Sequence, residues 1–320
     1  MRTHRYDLWH QGEYEYALAF GFQPNVVSYL HENETIRPAL VVVPGGGYAI
    51  VSPTEAGIVA EAFYARGYNA FVLTYTTNLL QTEPLRMQPM KDLSRAVRLI
   101  RKKAAEFCID PNRLAVCGFS AGGHLSASVC VHYQDVKDND PAYAGISNRP
   151  DAAILSYPVI TAGDYKHSQS FRCLVGLDAP QSEVDYMSVE RYVTKDTPPC
   201  FVWQTAEDES VSVENSYLYA EACRRKEVCF AHHVFSNGGH GLSLADEIWA
   251  AGKYGEPYTM EQTIKVLAKV KSGEIVMPEE EKAVLLDQYE GSGRKRQRRV
   301  NNEVRVWPRL AGQWLEKLSI

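Results

Sequence analysis

Short apolar runs recur along this chain, and between them apolar residues return every three or four positions. The runs have the length and the β-branched content of buried strands. They are residues 40–43, 70–75, 114–117, 152–157, 199–204 and 230–235. The clearest helical stripe consists of Met90, Leu93, Ala96, Val97, Ile100, Ala104 and Phe107. Strands that alternate with helices in this way predict an α/β fold, with a mostly parallel central sheet and helices on both faces.

Two segments interrupt this alternation, and both are long for a connection between regular elements. Insertions such as the first segment commonly form small lids, so we expect a lid over the site there. The chain has 320 residues, 45% of them hydrophobic, which is enough to bury one large core. We therefore expect a single domain over residues 1–320, with a lid insertion at about 161–196 and an atypical insertion at about 246–303.

The predicted strand at 114–117 is followed by the box Gly118-Phe119-Ser120-Ala121-Gly122, which has the pattern G-x-S-x-G. A serine in a sharp turn between a strand and a helix needs small neighbours, and the box provides three of them. Such a turn exposes the serine hydroxyl near the positive end of the following helix dipole. A structural Gly-Ser turn is the alternative, but the strand before the box and the helix after it favour a nucleophile.

A second glycine-rich loop, Pro44-Gly45-Gly46-Gly47-Tyr48, follows the predicted strand at 40–43. Successive glycines let backbone N–H groups approach a ligand closely and turn towards it. We therefore assign the oxyanion hole to Gly46 or Gly47 together with Ala121, the residue after the nucleophile. Phosphate binding is the weaker alternative, because the loop lacks both the P-loop lysine and the spacing of a dinucleotide site.

A serine nucleophile needs a base and an acid, which should follow in the order Ser, Asp or Glu, His. Asp208 and His240 each lie in the loop that follows a predicted strand, so both should lie at the same sheet edge as Ser120. We assign these three residues as catalytic: His240 accepts the serine proton, and Asp208 fixes the tautomer of the imidazole. Glu207 and Glu209 stay open as rival acids.

Other side chains are candidates for contact with the substrate. Tyr48, His124 and Tyr157 adjoin the motifs, although a histidine satisfied within its own helix is the favoured interpretation of His124. Aromatic residues of the lid segment could stack on a sugar ring, and packing of a short helix explains them equally well. They are Tyr165, Phe171, Tyr186 and Tyr192.

These motifs together carry a resemblance to a known family. The matching segments are VPGGGY at 43–48, GFSAGGHL at 118–125, SYPVI at 156–160, TPP at 197–199, TAED at 205–208 and GHG at 239–241. The chain resembles bacterial α/β-hydrolase-fold esterases related to acetyl xylan esterase and other carbohydrate esterases, near the hormone-sensitive-lipase and prolyl-oligopeptidase-like branches. The resemblance covers about residues 35–245 and resumes at 307–315. Pro44 departs from the usual first residue of the H-G-G-G loop, as in the carbohydrate-esterase branch.

Composition and charge fit an enzyme better than a protein that binds nucleic acid. The formal net charge of −5 gives no broad attraction to phosphate backbones. A basic run at 291–299 could bind acidic polymers, but a solvated loop flanked by glycines is favoured. Seven scattered cysteines without a C-x-x-C pair indicate reduced thiols and no metal site. The chain shows neither a signal peptide nor a long apolar stretch, so we expect a cytoplasmic protein without membrane partners.

The residues therefore predict a serine carboxylesterase that works through an acyl-enzyme and needs no cofactor. The resemblance implies short-chain acyl substrates, chiefly O-acetyl esters of a carbohydrate or another small polar molecule. The sequence leaves open whether the protein forms a homo-oligomer. One alternative is a peptidase or lipase of the same fold. The other is a non-catalytic binding protein, and the intact Ser, Asp and His weigh against that second alternative.

Overall fold

Eight strands form one sheet in a computed structural model that describes residues 1–290 and 298–320. The remaining residues, 291–297, contain most of the basic run, so the predicted solvated loop lies outside the described residues. The strands are β1 (Arg2–Asp7), β2 (Asn25–Leu30), β3 (Arg37–Val43), β4 (Asn69–Thr74), β5 (Ile109–Phe119), β6 (Ala152–Ser156), β7 (Cys200–Thr205) and β8 (Phe230–Phe235).

The sheet has the order β1-β2-β4-β3-β5-β6-β7-β8 and is mostly parallel. Only β2 runs against its neighbours β1 and β4, and every pair from β4 to β8 is parallel. Val43 at the end of β3 lies opposite Gly118, and Phe119 at the end of β5 lies opposite Ser156. The carboxyl ends of these strands therefore meet at one edge of the sheet, where open α/β sheets hold their ligands.

Helices cover both faces of the sheet. They are α1 (Gly57–Tyr64), α2 (Gln88–Lys102), α3 (Ala121–His132), α4 (Ser168–Val175), α5 (Gln181–Tyr186), α6 (Glu214–Arg225), α7 (Glu247–Ala250), α8 (Glu261–Ser272), α9 (Glu279–Glu290) and α10 (Trp307–Lys317). The predicted fold class, an α/β-hydrolase fold with a mostly parallel sheet and helices on both faces, is confirmed.

Alternation along the strands divides the core between these two faces. Val41 and Val43 pack into a cluster with residues of α2, α3 and α6, whereas Leu40 and Val42 pack into a cluster with α1 and α10. Because both faces are covered, the central strands are apolar without interruption, which explains the continuous runs in the sequence. Helix α2 ends at Lys102, earlier than its apolar stripe predicts, because the chain turns there to enter β5.

The two unusual segments fold into short helices beside the sheet. Residues 161–196 contain α4, α5 and a 3₁₀ turn at Val189–Tyr192. Residues 246–303 contain α7, α8 and α9, of which α8 and α9 pack with Leu18 and Leu79 in a third apolar cluster. Across residues 1–290 and 298–320, none of the helices has both the length and the apolar character that crossing a membrane requires.

Helix α10 anchors the chain's C-terminal segment to the sheet through Trp307. Its indole stacks on Trp203 of β7 with ring centroids 5.4 Å apart, and it meets Phe119 at 5.8 Å. The indole N–H donates to the carbonyl of Ser243 at 2.8 Å, three residues after His240. This buried aromatic group thus supports the loop that carries the histidine.

We expect Trp307→Ala to lower the free energy of unfolding by about 3–5 kcal/mol, because it leaves a large cavity and removes a buried hydrogen bond. Urea unfolding followed by circular dichroism measures the change. Trp314→Ala, at a half-buried tryptophan of the same helix, is the matched control and should cost clearly less. Equal losses in the two variants would contradict the anchoring role.

Candidate active site

Ser120 occupies the turn between β5 and α3, with φ 52° and ψ −118°. This backbone conformation is strained for a residue with a side chain. Three backbone hydrogen bonds hold it, because Ser120 N–H donates to Ser156 and its carbonyl accepts from His124 and Val159. The hydroxyl is thereby fixed at the carboxyl edge of the sheet.

Two glycines of the G-x-S-x-G box are required by close packing. A Cβ on Gly122 would collide with the carbonyl oxygens of Val43 and Pro44, and one on Gly118 would collide with Gly122 and Ser126. The first turn of α3 therefore lies directly against the end of β3. This contact brings the glycine-rich loop beside the serine.

The three predicted catalytic side chains form one hydrogen-bonded chain. Ser120 Oγ lies 2.8 Å from His240 Nε2, and His240 Nδ1 lies 2.7 Å from Asp208 Oδ2. A carboxylate only accepts hydrogen bonds, so Nδ1 carries the hydrogen and Nε2 is left to accept from the serine hydroxyl. The imidazole is thus in the tautomer that a general base requires.

Backbone N–H groups select Asp208 among the three neighbouring acids. Its Oδ1 accepts from Ser210 N–H at 3.0 Å and from Val211 N–H at 2.9 Å, and its side chain is fully buried. Of the two rivals, Glu207 instead accepts a hydrogen bond from Gly238 N–H at 3.4 Å, and Glu209 makes no contact with His240 among the described residues. The acid that contacts the imidazole is therefore Asp208.

The glycine loop supplies hydrogen-bond donors beside the serine. Gly46 and Gly47 line the same cavity as Ser120, and both have positive φ, 119° and 64°. Neither of their N–H groups, nor that of Ala121, donates to an acceptor within the described residues. The N–H of Gly45 is already used, because it donates to Glu55. Free donors at these positions suit an oxyanion.

Glu55 is a residue of the site that sequence reasoning missed. Its Oε2 accepts from Gly45 N–H at 2.8 Å, and its Oε1 accepts from the Tyr157 hydroxyl at 2.7 Å. Tyr157 in turn accepts from Ser243 N–H at 3.0 Å and packs its ring against His240, with centroids 5.0 Å apart. One buried carboxyl group thus connects the glycine loop with the histidine loop.

Burial raises the pKa of Glu55, and the hydrogen bonds from Tyr157 and Gly45 oppose that shift. The sequence pattern Ser52-Pro53-Thr54-Glu55 indicated only a helix start, with an acid in its first turn. No local signal could reveal the role of Glu55, because its main partner lies 102 residues away.

The substrate contacts predicted at Tyr48, His124 and Tyr157 are corrected by the structure. All three side chains are at most 2% exposed, and they support the cavity from behind rather than line it. His124 accepts from the Tyr48 hydroxyl and donates from Nε2 to the carbonyl of Met187, both at 2.8 Å. Burial lowers the pKa of His124 to about 4, so it is neutral near pH 7.

The aromatic residues of the segment at about 161–196 also point elsewhere. Phe171 packs against His124, and Tyr186 and Tyr192 pack against His132. Tyr165 is exposed but does not line the cavity. The segment contributes His167 and Gln169 to the cavity instead.

The cavity that contains Ser120 has a volume of about 470 Å³. Its described lining mixes polar and apolar groups and includes the glycine loop, Ser120 and His240, with Trp249, Arg298 and Arg299 from the second unusual segment. Sequence reasoning did not assign these last three residues to the site, because they are far from the motifs along the chain.

One group of side chains elsewhere could hold a metal ion. His10, Glu13 and Asp140 bring three ligand atoms within 4.8 Å of one another. The guanidinium of Arg95 lies 3.4 Å from Glu13 and 3.7 Å from Asp140, so a cation already balances these carboxylates.

The fold, the strained serine turn and the hydrogen-bonded Ser, His and Asp define a protein of the α/β-hydrolase class. The chain belongs to the BD-FAE family, whose model matches residues 28–223, more than half of the sequence. The family predicted from the sequence, α/β-hydrolase-fold esterases related to acetyl xylan esterase, is confirmed.

Three relatives illustrate this membership. Endo-1,4-beta-xylanase B of Butyrivibrio fibrisolvens is 49% identical over 83% of this chain and 42% of its own length. An acetylxylan esterase of Xylanibacter ruminicola is 30% identical over 68% of this chain and 44% of its own length. The chain thus spans less than half of either protein. An acetyl ester-xyloside bifunctional hydrolase from Caldicellulosiruptor lactoaceticus has a solved crystal structure and is 34% identical in sequence to this chain. The two structures superpose with a TM-score of 0.71 over 85% of this chain and 97% of that one.

We expect Glu55→Ala to reduce kcat/KM for p-nitrophenyl acetate by about 10- to 100-fold, because both loops of the site lose their shared acceptor. The free energy of unfolding should fall by roughly 2–5 kcal/mol, since two buried donors are left unpaired. Glu55→Gln keeps one acceptor, so its kcat/KM and its free energy of unfolding should lie between those of Glu55→Ala and those of the wild type. Glu34→Ala, at an exposed glutamate, is the control, and full activity in Glu55→Ala would contradict the connecting role.

His124 makes stability depend on pH in a defined window. The unfolded chain binds a proton at this residue below about pH 6.5, whereas the folded protein does so only near pH 4. The free energy of unfolding should therefore fall as pH drops through this window, by up to roughly 3 kcal/mol from this residue. Burial raises the pKa of Asp92 to about 6, which acts in the opposite direction.

The difference between wild type and His124→Gln isolates this effect from that of Asp92. Urea unfolding between about pH 7 and about pH 4 should show a flatter profile for the variant. His10→Gln, at an exposed histidine, should keep the wild-type slope. A variant that is as sensitive to acid as the wild type would refute the assignment.

Proposed function

We propose that this chain is a serine carboxylesterase that removes short acyl groups, chiefly acetyl, from carbohydrates or other small polar alcohols. The observation that carries the proposal is the chain of hydrogen bonds from Ser120 through His240 to Asp208, with links of 2.8 and 2.7 Å. An activated serine beside unused backbone donors is the arrangement that acyl transfer needs.

The reaction follows from this geometry. Ser120 Oγ attacks the acyl carbon while its proton passes to His240 Nε2, and the carbonyl oxygen becomes negatively charged. N–H groups of Gly46 or Gly47 and of Ala121 stabilise that oxygen. His240 then gives its proton to the departing alcohol oxygen, which leaves an acyl-enzyme. Water then gives a proton to His240 and attacks the acyl carbon. His240 returns that proton to Ser120 Oγ as the acid leaves, and Asp208 stabilises each imidazolium.

The acetyl preference rests on the relatives. One is named an acetylxylan esterase, and another is an acetyl ester-xyloside bifunctional hydrolase. Hydrogen-bonding side chains in the cavity lining, such as Ser52, Thr54 and Gln169, suit a sugar-like alcohol better than a lipid. We further propose that the segment at about 161–196 acts as a lid, because its His167 and Gln169 reach the cavity.

The name of one relative suggests glycosidic cleavage as a second candidate. That reaction requires two carboxyl groups that flank the scissile bond. The described residues that line the cavity include a single carboxyl group, Glu55, and both of its oxygens already accept hydrogen bonds. Ester hydrolysis is therefore the better supported activity.

Ser120→Ala should lower kcat for p-nitrophenyl acetate by about 10⁴-fold or more, because the nucleophile is lost. Asp208→Asn should cost on the order of 10³- to 10⁴-fold, since the imidazole then adopts the wrong tautomer. Acetate release from acetylated xylo-oligosaccharides and labelling by a fluorophosphonate probe provide independent readouts.

Ser272→Ala, at a serine of α8 far from the site in sequence and outside the cavity lining, is the matched control and should behave like the wild type. Circular dichroism checks that each variant is folded. Turnover close to wild type in folded Ser120→Ala would overturn the proposal, as would a wild-type protein that resists the probe.

A further inference from the structure

Two arginines reach the catalytic cavity from the far end of the second unusual segment. Arg298 and Arg299 line it together with Trp249, which comes from the beginning of the same segment. The hydrogen-bonded serine and histidine line this cavity as well. Two permanent positive charges thus share a wall with the reacting groups.

Aromatic rings hold the first of these arginines. The guanidinium carbon of Arg298 lies 5.6 Å from the ring centroid of Trp249 and 5.1 Å from that of Tyr254. The rings are themselves fixed, because Trp249 is 5% exposed and the Tyr254 hydroxyl donates to its carbonyl at 3.1 Å. Arg298 also forms a side-chain hydrogen bond with Tyr254. A guanidinium has five N–H donors, so the contact with these rings leaves others able to bind.

Acidic groups do not neutralise this charge. Among the described residues, no carboxylate lies within ion-pair distance of Arg298 or Arg299. The described cavity lining contains one acidic side chain, Glu55, whose carboxyl is buried and engaged with Gly45 and Tyr157. The cavity wall is therefore positive although the whole chain carries a net charge of −5.

We propose that Arg298 and Arg299 bind an oxyanion on the alcohol part of the ester, so that the preferred substrate is an acylated carbohydrate that also carries a negative group. This inference rests on the proposed esterase function and specifies its substrate class. A guanidinium matches the two oxygens of a carboxylate with paired hydrogen bonds, and it binds phosphate in the same way. A uronate residue and a sugar phosphate are the two sources of such a group.

The test compares acetate release from three acetylated substrates by the full chain. One is a neutral oligosaccharide, one is the same oligosaccharide with a uronate substituent, and one is a sugar phosphate. We expect kcat/KM to favour an anionic substrate by about 10-fold in dilute salt, as a charged hydrogen bond provides. The advantage should shrink in about 0.5 M NaCl, which screens exposed charges.

The double variant Arg298→Gln, Arg299→Gln should lose most of this preference through a higher KM for the anionic substrate. The double variant Arg298→Lys, Arg299→Lys keeps both positive charges and should retain part of the preference for the anionic substrate. Arg309→Gln, at an exposed arginine of α10 that does not line the cavity, is the matched control and should keep the wild-type ratio. Whichever anionic substrate is preferred identifies the carboxylate or the phosphate as the recognised group.

Calorimetric titration with the deacetylated uronate oligosaccharide and its neutral counterpart measures recognition without hydrolysis. Tighter binding of the uronate form, weakened by the double variant, supports the site. Equal affinity and equal kcat/KM for neutral and anionic compounds would overturn the proposed anion site. A preference for the anionic compound that is unchanged by salt and by the double variant would overturn it as well. A wild-type protein that binds the uronate but hydrolyses no ester, p-nitrophenyl acetate included, would refute the esterase function and leave the anion site standing.

Discussion

The contact between the first turn of α3 and the end of β3 is the constraint on which the rest of the site depends. Because Gly122 has no side chain, the helix lies against the carbonyls of Val43 and Pro44. That approach bends the backbone at Ser120 and brings the glycine loop alongside it. Ser120 and the glycine loop are thus positioned by packing of main chain on main chain.

Two buried carboxyl groups serve this centre in different ways. Asp208 is held by backbone N–H groups, which fix its carboxylate where it contacts His240. Glu55 lies where burial raises its pKa, and it links Gly45 to Tyr157. Asp208 contacts the imidazole directly, whereas Glu55 holds the glycine loop and the histidine loop in position relative to each other. Burial near Ser120 therefore does not by itself identify the acid that contacts His240.

The sequence predicts those parts of the molecule that local pattern determines. Continuous apolar runs reflect a sheet covered on both faces, and the G-x-S-x-G box reflects a turn that only small residues allow. The pattern favoured Asp208 but left Glu207 and Glu209 open as rivals, because three adjacent acids share one loop and only the folded backbone separates them. Glu55 and Arg298 were missed for a related reason: their partners are distant in the chain and meet only after folding.

The order of elements has a consequence for how such proteins diversify. Ser120, Asp208 and His240 each follow a strand of the sheet, namely β5, β7 and β8, whereas part of the cavity lining comes from the two unusual segments. Reactivity is therefore inherited with the sheet, and selectivity resides in parts that can be exchanged without rebuilding it. Under the proposed esterase function, related chains can change their substrate by replacing an insertion while the residues equivalent to Ser120, Asp208 and His240 stay unchanged.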